Sequence, residues 1–138
     1  MKVTVAPDTP CDRIWLVDWE GLAPFWKKDP YHFDFEDKGL KKAYCAYWFY
    51  RNKQGMLRLT VGFIEMNHDQ SFGFSNGRHR TNVMAQGMRY VPLSAPAPVY
   101  RNKQLAPFFI KKLTRDEIIE IPDYPICGTH EELQKLKY

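Results

Sequence analysis

Cysteine and histidine are too few and too scattered in this sequence to form a disulfide framework or a metal cluster. The 138 residues include three cysteines, Cys11, Cys45 and Cys127, without a Cys-x-x-Cys pair, and four histidines without clustered spacing. An odd number of widely spaced thiols is typical of proteins in a reducing compartment. No run approaches the roughly 20 apolar residues of a membrane span, and the N-terminus lacks the apolar core of a signal peptide. We therefore expect a soluble, cytoplasmic protein with no metal site.

The sequence also has little excess charge of either sign. A formal net charge of +4 permits a nucleic-acid or acidic partner but does not demand one. Ten prolines argue against a long helical bundle. Aromatic residues, in contrast, are plentiful at 15%, and the 44% hydrophobic content suffices for one sizeable core. These features predict a single α+β domain over residues 1–138, with short helices packed on a small mixed sheet.

The N-terminal part of the sequence alternates proline-broken segments with compact apolar runs. Residues 1–12 predict a loose arm, whereas 13–19 have a β-branched centre and predict a buried strand. A short turn of helix fits residues 23–27. Residues 40–50 fit either a helix or one arm of a hairpin that turns at 52–55. We favour the helix, and under both interpretations the aromatic side chains belong to the core.

The middle of the sequence contains the clearest strand pattern. Apolar side chains alternate along residues 56–66 and predict one strand, which a turn and a short return strand at 71–74 follow. A helix is predicted to start directly after Asn76-Gly77 and to continue over 81–88. The apolar run at 90–93 predicts a further strand, and Pro92 places it at a sheet edge or at the end of its strand because proline cannot donate a ladder hydrogen bond.

The last third of the sequence, residues 96–138, predicts a C-terminal extension of short helices. Two Thr-x-x-Glu patterns begin at Thr114 and Thr129. Each has the form of a capping box, in which a threonine and a glutamate satisfy the first backbone donors of a helix.

The most distinctive stretch lies where the predicted return strand passes into a helix. It reads Asn76-Gly77-Arg78-His79-Arg80-Thr81, and we refer to it as the 76–81 motif. The first turn of a helix presents unpaired N–H groups and the positive end of the helix dipole, so cationic side chains there require a counter-charge. A phosphate held between backbone amides and guanidinium groups would supply it. The alternative is that both arginines face solvent or pair with Glu65 or Asp69.

The order of elements around this motif resembles the ParB/sulfiredoxin-type fold. The matching box is Gly77-Arg78-His79-Arg80, with Phe72-Gly73-Phe74 before it and Tyr90-Val91-Pro92 after it. Its Asn-Gly-Arg-His-Arg-Thr form is most similar to the plasmid fertility inhibition factors. The resemblance covers residues 56–95 well and 14–18 loosely.

This resemblance implies a function and a set of partners. Fertility inhibition factors are small inhibitors of conjugative DNA transfer through type IV secretion systems. The partner implied here is a coupling ATPase or a relaxosome protein, with nucleotide or DNA phosphate bound at residues 77–80. ATPase and DNase activities associated with that branch would imply Mg²⁺ together with a nucleoside triphosphate.

The residue at position 78 limits which catalytic activities the resemblance implies for this chain. It is arginine where sulfiredoxins carry their catalytic cysteine and where ParB-type nucleotide hydrolases carry a glutamate. Neither catalytic machinery can therefore be copied onto this chain, and sulfinic-acid reduction is not expected. The phosphate-holding part, Gly77 with His79 and Arg80, is preserved.

Hydrolysis at the 76–81 motif would require a general base or a metal-bound water near the phosphate. The nearest acids in the sequence are Glu65 and Asp69, and Asp18 and Glu20 could approach from the first strand. His79 is a weaker candidate because two neighbouring arginines favour its neutral form. We therefore favour binding over turnover. A nucleotidase or metal-dependent nuclease is the alternative, and a plain DNA-binding module is a third interpretation.

Overall fold

Two mixed β-sheets and a two-stranded ladder, with short helices, make up the structure. It is a computed structural model that describes residues 1–7, 13–26, 44–51, 53–68 and 71–127. The strands are β1 (Lys2–Ala6), β2 (Arg13–Asp18), β3 (Tyr44–Cys45), β4 (Phe49–Arg51), β5 (Leu57–Thr60), β6 (Gly62–Met66), β7 (Phe72–Asn76), β8 (Tyr90–Ala95), β9 (Phe109–Leu113), β10 (Ile118–Glu120) and β11 (Ile126–Cys127). The helices are α1 (Trp19–Trp26), α2 (Arg78–Ala85) and α3 (Ala97–Tyr100), and 3₁₀ turns cover Ala46–Trp48 and Ala106–Phe108. The α+β class predicted from the sequence is confirmed. Every helix within the described ranges is too short or too polar to cross a lipid bilayer.

The five-stranded sheet has the order β7-β6-β8-β2-β9. Its middle strands β8 and β2 are antiparallel and carry fully buried side chains such as Val17 and Val91, which confirms the predicted buried strand. Pro92 is the third residue of β8, a strand inside the sheet, so the prediction that it lies at a sheet edge or at the end of its strand is wrong. Pro92 pairs with Leu16 of β2, and the ladder from β6 to β8 begins one residue later, at Leu93. A missing N–H is tolerated there because β8 has a paired strand on one side only at that residue.

The four-stranded sheet, with the order β10-β1-β5-β4, begins at the N-terminus. Strand β1 lies inside this sheet, parallel to β5 and antiparallel to β10, and both Val3 and Val5 are fully buried. The predicted loose arm is therefore wrong for residues 2–6. The remainder of that arm, at 8–12, lies outside the described residues.

The single strand predicted over 56–66 is in fact two strands that belong to different sheets. Strand β5 lies in the four-stranded sheet and β6 in the five-stranded sheet, with Val61 between them. The Val61 N–H donates to the carbonyl oxygen of Ala6 at 3.0 Å, outside either ladder. The buried face shifts across this break, since Leu59 and Ile64 are both fully buried although they are five residues apart.

The ambiguous segment at 40–50 forms a hairpin arm rather than the favoured helix over its described part, residues 44–50. A 3₁₀ turn, Ala46–Trp48, separates β3 from β4, and β4 pairs antiparallel with β5. Tyr44 and Trp48 are buried as predicted, but Tyr47 is 78% exposed, so the prediction that all these rings belong to the core is wrong. Residues 40–43 lie outside the described residues.

The C-terminal third contains strands as well as the predicted short helices. Helix α3 and the 3₁₀ turn Ala106–Phe108 are followed by β9, β10 and β11. At the first capping-box pattern the Thr114 hydroxyl does contact the Glu117 carboxylate, at 3.4 Å. However, Asp116 adopts a left-handed backbone with φ of 66°, and the chain continues as β10 instead of a helix. The helix predicted after Thr129 lies outside the described residues.

Candidate anion-binding cleft

The 76–81 motif lies at the junction of β7 and α2, within the predicted order of strand, return strand, helix and strand. Strand β7 pairs antiparallel with β6, with Ile64 opposite Phe74, and ends at Asn76. Gly77 is the N-cap residue of α2 and Arg78 begins the helix, directly after Asn76-Gly77 as the sequence predicted. All three potentially cationic side chains therefore belong to the first helical turn.

Gly77 permits a close approach between this helix and the point where the chain changes sheets. Its φ of 85° lies in the left-handed region, which glycine adopts without steric cost. A Cβ at Gly77 would lie 2.5 Å from the Cα of Gly62 and 2.8 Å from Nε of Arg80. The sequence did not indicate Gly62 as part of this site, because an isolated glycine between two apolar runs gives no sign of its spatial neighbours.

Thr81 belongs to the scaffold of the motif and not to its surface. It is fully buried, and its hydroxyl and its N–H both donate to the Gly77 carbonyl oxygen, at 2.8 and 3.0 Å. A Cβ at Gly62 would lie 2.6 Å from this hydroxyl. Thr81 was predicted as a binding residue; the structure places it beneath the site, where it holds Gly77.

The first turn of α2 is cationic and has no acidic residue. Its N-cap residue is a glycine, so no side-chain oxygen caps the turn. Arg80 is only 6% exposed, and its Nη2 donates to the Val61 carbonyl oxygen at 3.4 Å. The Asn82 side-chain amide donates to the Arg78 carbonyl oxygen at 2.8 Å and braces the same turn. Helix dipole and guanidinium groups therefore give this end of α2 a positive potential.

A cleft of about 320 Å³ opens at this junction. We call it the motif cleft, and it is lined by Tyr47, Trp48, Phe74, Ser75, Asn76, Gly77, Arg78, His79 and Arg80. Five of the six predicted binding residues thus share one cavity. Cationic and polar side chains converging on a space of this size suit a small anionic group.

The aromatic wall of the motif cleft was not found from the sequence. Tyr47 and Trp48 come from the 3₁₀ turn between β3 and β4, and their ring centroids lie 5.9 Å apart with planes at 74°. Trp48 is buried and packs edge-on against Tyr44 at 6.4 Å. The aromatic spacing in this segment matched a helix, and only the turn shows which ring points outward.

Of the two predicted catalytic acids, the described one, Glu65, does not line the motif cleft. Glu65 is exposed on β6, opposite Gly73, and its carboxylate accepts a hydrogen bond from the Ser75 hydroxyl. Asp69 lies outside the described residues. Of the two described members of the predicted catalytic set, Glu65 and His79, the cleft is lined by His79. No residue of the described lining is acidic, so none of the described residues brings a carboxylate base there.

Asp18 and Glu20, the two other acids considered, are held beyond the opposite end of α2. Nε and Nη2 of Arg89 donate to the Asp18 carboxylate at 3.1 and 3.0 Å, and Nε lies 3.4 Å from Glu20. The hydrogen bonds from Arg89 lower the pKa of Asp18, and those to Asp18 raise the pKa of Arg89. These carboxylates therefore pair with Arg89 and do not lie at the 76–81 motif.

The residues at the motif cleft do not form a magnesium site of their own. Mg²⁺ prefers charged oxygen ligands, whereas the oxygen-bearing side chains of this lining, those of Tyr47, Ser75 and Asn76, are uncharged hydroxyls and an amide. Among the described residues, no group of three or more His, Cys, Asp and Glu side chains is arranged to hold a metal.

Comparison of the chain with protein-family models, with curated proteins and with solved structures finds no match. The resemblance to the ParB/sulfiredoxin-type fold and to the fertility inhibition factors therefore stays a prediction from the 76–81 motif. The function is therefore inferred from the geometry of the motif cleft.

Proposed function

We propose that this protein binds a phosphoryl group, of a nucleotide or of a DNA backbone, in the motif cleft and holds it without breaking it. The observation that carries the proposal is the convergence of residues 76–80 on one cavity at the first turn of α2. Direct titration with pyrophosphate measures the binding half of this proposal.

The chemistry of the cleft favours an anion. Arg78 and Arg80 keep their positive charge at any physiological pH and present planar donor groups that match phosphate oxygens. Gly77 has no side chain, so Gly62 and the Arg80 side chain can pack against its backbone at the start of the helix. The volume of about 320 Å³ lies at the small end of the range for ligand pockets, which fits one phosphate-bearing unit.

The same lining disfavours hydrolysis. Cleavage of a phosphate ester needs a base or a metal-bound water in line with the bond. His79 is the titratable base of the described lining, and no carboxylate there orients it. The alternative function, a ParB-like nucleotidase or metal-dependent DNase, has less support than binding for this reason.

For the biological role, the resemblance of the 76–81 motif supports inhibition of conjugative DNA transfer by a type IV secretion system. The partner in this proposal is a coupling ATPase or a relaxosome protein. Phosphate held in the motif cleft would then be part of how the protein engages a nucleotide-bound or DNA-bound component. A cytoplasmic location belongs to the same proposal.

A mating assay tests this role. Donor cells that express the protein should transfer a conjugative plasmid less often than cells without it. Arg78→Ala should weaken the inhibition, whereas Arg115→Ala, which removes an exposed arginine outside the motif cleft, should keep it at equal protein level. Unchanged transfer frequency across several plasmid systems would count against the role.

A further inference from the structure

Tyr47 is the feature of the motif cleft that phosphate binding leaves unexplained. Its side chain is 78% exposed, more than the other exposed large hydrophobic residues of the described chain. Those are Ile118 at 55%, Ile110 at 53% and Tyr90 at 41%. A ring in that position must present a face to solvent, and leaving it there forgoes the stabilisation that burial would give.

The backbone that carries Tyr47 is held on both sides. Strand β3 before the turn pairs with β11, and β4 after it pairs with β5, with Phe49 opposite Leu59. Trp48, only 5% exposed, and the fully buried Tyr44 fix the turn to the core. Tyrosine has few rotatable bonds, so a ring on such a support loses little conformational freedom when a ligand covers it.

Tyr47 faces a polar cavity rather than an apolar one. It lines the motif cleft together with Arg78 and Arg80. Ser75 and Asn76 are exposed at the same cleft and supply hydrogen-bonding groups. An aromatic face beside cationic and amide donors is the combination that binds a flat, polar ring attached to a phosphate.

We propose that the motif cleft takes a nucleoside phosphate, with the base stacked on Tyr47 and the phosphate at residues 77–80. This inference rests on the proposed phosphate site and names the class of ligand for it. The same unit occurs as a free nucleotide and within a single strand of nucleic acid. A duplex is excluded as the ligand, because its base faces are covered by neighbouring base pairs.

Binding measurements on Tyr47 variants test the inference. The probes are pyrophosphate, which has no ring, AMP, a single-stranded ten-residue deoxythymidine oligonucleotide, and a duplex of the same length. The variants are Tyr47→Ala and Tyr47→Phe, and Tyr90→Ala serves as the matched control because Tyr90 is an exposed tyrosine outside the motif cleft. Melting temperatures of all variants verify that each remains folded.

Tyr47→Ala should weaken binding of AMP or of the single strand about 5- to 100-fold, the usual effect of removing an aromatic stacking partner. Tyr47→Phe should keep the affinity because the ring remains, and pyrophosphate should bind all variants equally. A single strand that binds more tightly than AMP, with affinity falling steeply as salt rises, identifies nucleic acid as the source. Equal affinities for AMP and for the single strand identify the free nucleotide as the source.

Three results would overturn the inference, and they are distinguishable. If pyrophosphate and AMP bind equally and Tyr47→Ala changes neither, the phosphate site stands but the ring does not stack. If none of the four probes binds the wild-type protein, the phosphate site itself is absent and the inference fails with it. Tighter binding of the duplex than of the single strand would also exclude stacking on Tyr47.

Discussion

Gly62 and Gly77 decide how closely helix α2 approaches the point where the chain leaves one sheet for the other. Each would place a Cβ against the neighbouring segment, Gly77 against backbone and Gly62 against the Thr81 hydroxyl. Both glycines therefore set the depth of the motif cleft, although neither needs to touch a ligand. Their role follows from contacts between residues 15 positions apart, which the sequence alone does not reveal.

Replacing Gly77 tests this close approach at the residue scale. Gly77→Ala should lower the free energy of unfolding by about 2–5 kcal/mol, the sum of a left-handed alanine and an overpacked contact. Gly55→Ala is the matched control, since Gly55 also has a left-handed φ, of 79°, but open space around its Cβ position. It should lose only about 1–2 kcal/mol.

Urea denaturation of both glycine variants provides the measurement. The difference between them isolates the steric contact from the backbone cost that they share. Equal losses would mean that the approach between α2 and the Val61-Gly62 segment can relax without cost.

The ion pair between Asp18 and Arg89 is a second residue-scale feature, and it predicts a dependence on pH. Arg89 lowers the pKa of Asp18 in the folded protein, so the folded state binds a proton at this carboxylate less readily than the unfolded state. Its stabilising contribution is complete above the ordinary aspartate pKa of about 3.9. It is lost as the pH falls through the lower pKa of the folded state.

Asp18→Asn should remove this pH-dependent contribution to the stability of the folded protein. The wild-type protein should be more stable than the variant at pH 7, and the difference should shrink as the pH is lowered below about 4. Unfolding free energies measured in urea at several pH values between 7 and 3 give the comparison. If the unfolding free energies of the wild-type protein and the variant change in parallel across that pH range, the ion pair does not contribute to stability through Asp18.

At the scale of secondary-structure elements, the sequence predicted the strands and the helix start whose apolar pattern ends at a turn residue or a glycine. Strand β2, the return strand β7 and the junction with α2 were found because turn residues and glycine bound them. The division of 56–66 into β5 and β6 was missed because alternation continues across Val61 while the chain changes sheets. Strand β1 was missed because nearby prolines suggested an arm, yet its partners are β5 and β10, far along the chain.

The element that completes the cleft was also the hardest to interpret. The segment 44–50 carries aromatic residues at a spacing that fits a helix, and only its pairing with β5 and β11 makes it a turn between strands. Tyr47 therefore differs from the neighbouring aromatic residues in its position on the turn and not in the chemistry of its side chain. Sequence periodicity cannot separate one exposed ring from several buried rings when the local element is a 3₁₀ turn.

At the scale of the whole molecule, the motif cleft is formed by segments that adjoin strands of both sheets. The 76–81 motif follows β7 of the five-stranded sheet, whereas Tyr47 and Trp48 precede β4 of the four-stranded sheet. The two walls are joined through the Val61-Gly62 crossing, which Arg80 contacts from the helix. The anion-binding half could be predicted from local sequence, and the aromatic half depended on tertiary structure.

Binding of a phosphoryl group in the motif cleft can be measured by calorimetric titration with pyrophosphate. The wild-type protein should bind one pyrophosphate, and Arg78→Ala should weaken the affinity at least about tenfold, because a hydrogen bond to a charged group is worth roughly 1.5–3 kcal/mol. Arg115→Ala, with the same change in net charge, should bind like the wild type, and no phosphate should be released. Absence of binding, or equal weakening by both substitutions, would contradict the account.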